Sequence, residues 1–221
     1  MKLIWCPETA SKSYIDTVRS CKIVQGSSVA ELISAMAGGW KPQLIVETWC
    51  HGGVISTSIG LSVASRHTSG RHVCIVPDER SRLEYSEAMQ SVEGIAVPEI
   101  IVGEAEEVMN GLVGVDFIVV DCRRKDFAKI LRSAKLSHRG AVLICKNVNK
   151  RSTNLGFRWR SVLNCGARVV RTVYLPVGKG LDIAHVAITN GGNNLNLSKA
   201  ITSRWIRHID QKSGEEHVFR R

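Results

Sequence analysis

Residues 168–189 read RVVRTVYL, then PVGKGLD, then IAHVAIT, and this stretch decides how the chain folds. The first and last runs are rich in β-branched and aromatic residues, the composition of strands. Seven residues separate them, with Pro176, Gly178 and Gly180 among them, too few for a crossover helix. The two strands must therefore pair antiparallel as a hairpin. Upstream the pattern differs. Strand-like runs at 44–48, 72–76, 99–102, 115–121 and 141–145 alternate with helical periodicity at 27–37, 54–66, 80–91, 105–112 and 126–136. Within 27–37, Val29, Leu32, Ile33 and Met36 share one face, and Gly38-Gly39 is expected to stop the helix. Within 126–136 the corresponding face is Phe127, Ile130, Leu131 and Ala134. Alternation at this spacing gives right-handed crossovers and a parallel sheet with helices on both faces. Unbroken apolarity in FIVV (117–120) and AVLIC (141–145) marks central strands buried on both sides.

The expected architecture is α/β, a mostly parallel sheet that ends in an antiparallel hairpin. It resembles the Rossmann-like, seven-stranded S-adenosylmethionine-dependent methyltransferase fold. Ahead of the sheet, 7–18 reads as a helix opened by Pro7; after it, NGGNN (190–194) reads as a turn. Residues 198–210 read as an amphipathic helix whose stripe of Ile201, Trp205 and Ile209 suits core packing. The whole chain, 1–221, is expected to be one domain: a helical extension (1–40), a core (41–190), and a C-terminal helix and tail (191–221).

Composition narrows the class. The chain has 221 residues, 44% of them hydrophobic, which excludes disordered and collagen-like proteins. Its longest apolar runs fall far short of the roughly 20 residues of a membrane-spanning helix, and the patch from Leu3 to Cys6 is too short for a secretory signal. No membrane partner is expected. The 7 cysteines are odd in number, scattered and never spaced C-x-x-C, which argues against disulfides and structural zinc and for a cytoplasmic or nuclear address. Charge is lopsided. Residues 1–110 carry 9 Lys and Arg against 13 Asp and Glu, whereas 111–221 carry 21 against 7. The densest stretch, 123–160, holds 12 basic residues and the single acid Asp126, a field suited to an anionic ligand.

In open α/β sheets ligands lie outside the carboxyl ends of the strands, so the turn after the first strand, Glu47-Thr48-Trp49-Cys50-His51-Gly52-Gly53, is the candidate site. Its paired glycines allow close approach of backbone to a ligand. There is no G-x-G-x-x-G, so a nicotinamide cofactor is not indicated. Asp78, after the second strand, suits both a ribose contact and the N-cap of the next helix.

Taken in order, Glu47 with Gly52-Gly53, Asp78, Gly103-Glu104-Ala105, the strand 115–121, Arg139-Gly140 before 141–145, and Leu175-Pro176-Val177-Gly178-Lys179-Gly180 resemble the catechol and caffeoyl-CoA O-methyltransferases. The opening Trp5-Cys6-Pro7-Glu8 and closing Gly214-Glu215-Glu216-His217 resemble a plant family of uncharacterised methyltransferase-like proteins. The resemblance implies S-adenosylmethionine as cofactor. Glu47 and Gly53 would line its methionine part, Asp78 would hold its ribose, and Gly103 to Ala105 would border its adenine, with Trp49, Gly52 and Asp121 completing the surround. Two positions depart from the family. Trp49 replaces the first motif glycine, so its indole is expected to close the site or reroute the loop. Asp121 and Asn147 match two of the family's three metal ligands, but Lys146 takes the place of the second aspartate. An ammonium repels a divalent cation and offers no lone pair, so no metal is expected.

Methyl transfer needs in-line positioning and a nucleophile that can lose a proton, which makes Lys146, and secondarily Lys125, candidate catalytic groups. Arg123, Arg124, Asn147 and Lys150 crowd the rim of the same mouth, so the acceptor is expected to be anionic: a small molecule, a CoA-type thioester or, alternatively, a nucleic-acid backbone. Phe157 and Trp159 are the aromatic candidates for stacking on a base. Cys50, Cys122 and His51 lack partner spacing and read as bystanders. The competing reading is a non-catalytic binding or regulatory module on the same fold.

Overall fold

The computed structural model describes residues 5–21, 27–148, 158–163, 166–188, 205–209 and 216–220. Two helices come first, α1 (Pro7–Ser20) and α2 (Ser27–Trp40). The alternation follows: β1 (Leu44–Thr48), α3 (Ser56–Thr68), β2 (Arg71–Val76), α4 (Glu79–Gln90), β3 (Glu99–Val102) and α5 (Ala105–Gly111). Then come β4 (Val113–Val115), β5 (Phe117–Asp121), α6 (Phe127–Ser133), β6 (Lys135–Leu136) and β7 (Ala141–Lys146). A helical turn at Trp159–Val162 precedes β8 (Ala167–Leu175) and β9 (Leu181–Ile188). No described helix is long and apolar enough to cross a membrane.

The seven-stranded sheet has the order β3-β2-β1-β5-β7-β9-β8. Its first five members are parallel, and β9 runs antiparallel to both β7 and β8. The fold class read from the hairpin is therefore the one observed. The order reverses between β1 and β5, which opens a crevice at their carboxyl ends. Side chains alternate between two cores. On one face Val46, Ile75, Ile118, Val120 and Leu143 pack with Met109, Ile130 and Leu131 of α5 and α6. On the other, Ile45, Phe117, Val119 and Ile144 pack with Ile33 and Ala37 of α2 and Leu61 of α3. Each of these side chains larger than alanine contributes roughly 1.5–3 kcal/mol by leaving water.

Three local expectations are corrected. First, α2 runs through Gly38-Gly39 to Trp40 instead of stopping. These glycines admit a neighbour: a Cβ on Gly38 would lie 2.4 Å from Ser13 Oγ and 2.7 Å from the Thr9 carbonyl of α1. Gly38→Ala is expected to force the two helices apart and cost about 1–3 kcal/mol, read as a lower midpoint in thermal or urea unfolding. An unchanged midpoint would mean that the contact is loose. Second, the strand read over 115–121 is interrupted at Asp116. That carboxylate is buried and accepts the backbone N–H groups of Gln43 and Leu44, each at 3.0 Å, tying the entry of β1 to β5.

The third correction concerns the C-terminal segment. The chain divides into two compact units, Met1–Asn190 and Gly191–Arg221. In the second, residues 205–209, read as helix, form β10 (Trp205–Ile209), which pairs antiparallel with β11 (Glu216–Arg220). Trp205 and Ile209 are four apart, a spacing that satisfies a strand's period of two as well as a helical stripe. Two isoleucines and a tryptophan in five residues, with Ile206 opposite Phe219, favour the strand. Residues 198–204 and 210, the rest of the helix read there, lie outside the described residues.

Candidate functional site

Ile45, Val119 and Ile144 share one core, and the residues two positions on from each are Glu47, Asp121 and Lys146. The three therefore emerge on the same face of the sheet, at the carboxyl ends of β1, β5 and β7. Asp121 and Lys146 are register partners.

Glu47 is fully buried. Its Oε1 accepts the Tyr85 hydroxyl of α4 at 2.9 Å and lies 3.1 Å from His72 Nε2 of β2. His72 Nδ1 in turn faces the Ser62 hydroxyl of α3 at 3.1 Å. Burial pushes the Glu47 carboxyl up, but the His72 hydrogen bond and charge, with the charge of Lys146, outweigh it and hold the group below the ordinary carboxylate range. Its other oxygen, Oε2, has no partner. Neither do the buried Thr48 Oγ1, Trp49 Nε1, Ser58 Oγ or Ser81 Oγ, so five of the six such atoms among the described residues gather at the end of β1, the loop after it and the first turns of α3 and α4. Buried polar atoms are rarely left unpaired, and a concentration of them at one strand end marks a place where a polar ligand or ordered water belongs.

Trp49 does not enter the crevice. Its indole is 3% exposed and packs edge-on to Tyr85, with ring centroids 5.3 Å apart, in a cluster with Ile59, Val76 and Met89. The loop that follows is shaped around it: a Cβ on Gly53 would lie 2.8 Å from Trp49 Nε1. Gly52 takes a left-handed φ of 73° and donates its N–H to Glu84 Oε1 of α4 at 3.1 Å, while His51 pairs with the same carboxylate. Sequence reading missed Glu84. It sits on the solvent side of an amphipathic helix, 33 residues beyond His51, and no local signal ties it to the loop.

Asp78 accepts the Ser81 N–H at 2.7 Å as the N-cap of α4, and that bond holds its carboxyl below the ordinary range. Gly103 donates to the Val76 carbonyl at 2.9 Å, Glu104 stands at the N-cap position of α5, and Ala105 is buried. These residues flank the ends of β2 and β3.

On the other side of β1 lies a cavity of about 330 Å³ walled by Gly52, Arg123, Lys146, Asn147 and the turn Gly178-Lys179-Gly180. A groove of about 540 Å³ shares Arg123, Asn147 and that turn. Lys146 is only 8% exposed, and among the described residues its ammonium has neither a hydrogen bond nor a close ion pair; it feels Glu47 and Asp121 at longer range. Asp121 is fully engaged. Arg123 grips both of its oxygens through Nε and Nη2, at 2.6–3.1 Å, and the Asn147 amide donates to Oδ2 at 2.8 Å. Burial raises the Asp121 carboxyl, and the Arg123 bonds and charge more than reverse this. A divalent cation would have to displace a guanidinium from Asp121 and sit beside the Lys146 ammonium, so the residues present do not fit one.

Of the remaining candidates, Arg124 turns to Asp126 in a two-bond pair at 2.7 and 3.0 Å and does not line the cavity. Lys125 is exposed on the same turn. Lys150 and Phe157 lie outside the described residues. Trp159 is 5% exposed, with its Nε1–H donated to Asp182 at 2.8 Å; it is a core residue, so the stacking role read for it does not hold.

The family model described as "Protein of unknown function (DUF1442)" matches residues 1–221. No curated protein sequence matches the chain. Among solved structures it is similar to the O-methyltransferase TomG from Streptomyces achromogenes, in complex with SAM (TM-score 0.55, 20% identity, 84% of this chain and 92% of that one). It is also similar to an O-methyltransferase from Bacillus cereus in complex with SAH (0.53, 18%, 83% and 93%). A third is the SAH-bound methyltransferase PaMTH1 from Podospora anserina (0.53, 15%, 84% and 90%). At these identities the likeness is one of fold.

Proposed function

We propose that this chain, which belongs to the DUF1442 family of proteins of unknown function, binds S-adenosylmethionine at the ends of β1 to β3 and methylates an anionic small molecule held beside Lys146. The observation that carries this reading is the buried Lys146 ammonium, unpaired among the described residues, on the wall of a cavity and on the same sheet face as a carboxylate with a free oxygen. The methyltransferases it is similar to bind S-adenosylmethionine or S-adenosylhomocysteine, which supports the choice of cofactor.

Glu47 Oε2 would take the ammonium of the cofactor, an ion pair that satisfies both groups in a dry site. Gly52, where a Cβ would meet nothing within 4 Å, would leave room for its methionine part, while the space beside Gly53 is taken by Trp49. Asp78 would accept a ribose hydroxyl with the oxygen its cap leaves free, and Gly103 to Ala105 would edge the adenine. The cofactor, when bound, supplies a methyl group on a sulfonium. What the chain adds is position and charge. Lys146 holds an anionic oxygen of the acceptor, and Asn147, Lys179 and Arg123 orient the rest. Arg123 spends Nε and Nη2 on Asp121 and keeps Nη1 for the acceptor. The cavity volume suits a small molecule better than a nucleic acid strand. The reaction is metal-independent because Lys146 supplies the positive charge that a cation would otherwise bring.

Isothermal titration with S-adenosylmethionine and S-adenosylhomocysteine, with and without magnesium, tests the reading; micromolar binding indifferent to magnesium is expected. No heat and no thermal stabilisation at millimolar ligand would overturn it and favour a non-catalytic module. Lys146→Met is expected to bind the cofactor like the parent and to lose methyl transfer to a panel of carboxylate, phenolate and phosphate acceptors by about 100-fold or more. Undiminished transfer would remove Lys146 from the mechanism.

A further inference from the structure

We propose that His72 is a positioning residue for Glu47, binding one carboxylate oxygen so that the other stays ionised and free to receive a cationic ligand. The proposal rests on the reading of Glu47 as the cofactor's carboxylate. It starts from a buried chain of polar groups contributed by four elements: Ser62 of α3, His72 of β2, Glu47 of β1 and Tyr85 of α4. His72 is 6% exposed and Ser62 5%, so neither meets bulk water, and neither lines the cavity beside Lys146.

Hydrogen-bond chemistry sets the direction of the chain. A carboxylate only accepts, so His72 Nε2 must carry the proton that points at Oε1. Nδ1 is then satisfied by Ser62, whose hydroxyl can donate to it or accept from it. Tyr85 donates its hydroxyl to the same Oε1. Both donors converge on one oxygen while Oε2 has none. Two donors on one oxygen fix the carboxyl plane, and they stabilise the charged form against its burial.

The groups that face Glu47 are few. His72 and the Cys74 thiol come from β2, Tyr85 and the uncharged Ser58 hydroxyl from the helices, and Lys146 from β7. Tyr85 and Cys74 are both pushed well up, by burial first and then by the Glu47 charge, so they stay neutral. Lys146 acts without a close ion pair. Burial is the largest influence on Glu47 and drives it toward protonation, and His72 is the largest influence opposing it. Without His72, Glu47 is expected to hold its proton toward neutral pH, and a protonated carboxyl attracts no ammonium.

Two variants test this without reference to turnover. His72→Gln keeps an N–H that can reach Oε1, and His72→Phe removes it; both lack the imidazole, so any difference between them in pH dependence reports Glu47. In the parent the folded carboxyl titrates below its unfolded value, so Glu47 contributes stability above the unfolded value and loses it as pH falls through the folded one. His72→Gln keeps a hydrogen bond to Oε1 and is expected to retain that sign. In His72→Phe the sign reverses. The folded carboxyl titrates above its unfolded value, so stability is lost as pH rises through the weakly acid range. The expected result is a thermal midpoint that falls between about pH 5 and 7 in His72→Phe but not in His72→Gln. Alongside it, S-adenosylmethionine binding at neutral pH should be about tenfold or more weaker in His72→Phe and regained on raising the pH, with His72→Gln close to the parent.

Equal affinities and parallel pH profiles in the two variants would overturn the proposal. If the parent itself binds no S-adenosylmethionine, the cofactor reading fails, and the stability contrast still decides whether His72 keeps Glu47 charged. Should His72→Phe not fold, Tyr85→Phe removes the other donor to the same oxygen and carries the same measurements; there too an unchanged pH profile counts against the network.

Discussion

Glu47→Gln is expected to weaken S-adenosylmethionine binding by about 100-fold while moving the thermal midpoint little. The amide has the shape of the carboxylate, and its carbonyl can still accept from Tyr85 and His72, whose partners therefore survive. What is lost is the charge opposite the cofactor's ammonium, in a site where low dielectric makes charge count. Burying a neutral amide also removes the desolvation penalty that the charged group bears, which offsets part of the lost charge-assisted bonding. Glu47→Ala behaves differently. It strands the Tyr85 hydroxyl and the His72 N–H in the core, each costing about 1–3 kcal/mol, so binding and folding fall together. Titration calorimetry and thermal unfolding on both variants separate the two effects. Binding by Glu47→Gln within threefold of the parent would mean that the pocket lies elsewhere, since a threefold change is under about 0.7 kcal/mol, well below the roughly 1.5 kcal/mol or more by which close charge pairs couple in a binding site.

Gly180→Ala is expected to be strongly destabilising. Gly180 has φ of 95°, a Cβ there would lie 2.3 Å from the Val148 carbonyl and 2.8 Å from Tyr174 Oη, and its own carbonyl accepts the Val148 N–H at 3.1 Å. The contact that would have to yield is backbone, at the point where the β8–β9 turn closes over the end of β7. Conformational strain of about 1–2 kcal/mol adds to about 1–3 kcal/mol of overpacking. For a chain of this size each kcal/mol lowers the midpoint by about 2–4 °C, so a drop of roughly 6 °C or more is expected. Gly94 provides the control: its φ is 72° but nothing lies within 4 Å of a built Cβ, so Gly94→Ala carries the conformational cost alone. Similar midpoints for the two variants would show that the turn can shift without loss. Because Gly178, Lys179 and Gly180 wall the cavity, Gly180→Ala should also weaken acceptor binding.

Reading of the candidate site divided by the range of the interactions involved. The strand ends at Glu47, Asp121 and Lys146 were legible because strand position and side-chain alternation are local properties of the chain. Their partners were not. His72 and Tyr85 are 25 and 38 residues from Glu47 in sequence, and each looks like an ordinary member of an apolar strand or an amphipathic helix. Trp49 shows the same limit from the other side. Its place in the motif suggests an obstruction, yet the loop delivers the indole into the core against Tyr85, a direction that only packing sets. Arg123 and Arg124 are neighbours of identical chemistry, and the turn after β5 sends one to Asp121 and the other to Asp126. Gly38-Gly39 carries a strong stop signal, overridden because α1 must come within a backbone's reach.

By itself, then, the sequence determined the alternation of strands and helices, the antiparallel hairpin that closes the sheet, the crevice at the strand ends and the presence of Lys146 at one of those ends. These follow from periodicity, turn chemistry and residue identity, which act over a few positions. Only the tertiary structure decided which oxygen of Glu47 is occupied, that Asp121 is filled by Arg123 and Asn147 while Lys146 is left unpaired among the described residues, and that Trp49 is core rather than gate. Those outcomes depend on which surfaces meet across the fold, where hydrogen-bond satisfaction and close packing select one arrangement from many that the local sequence allows equally.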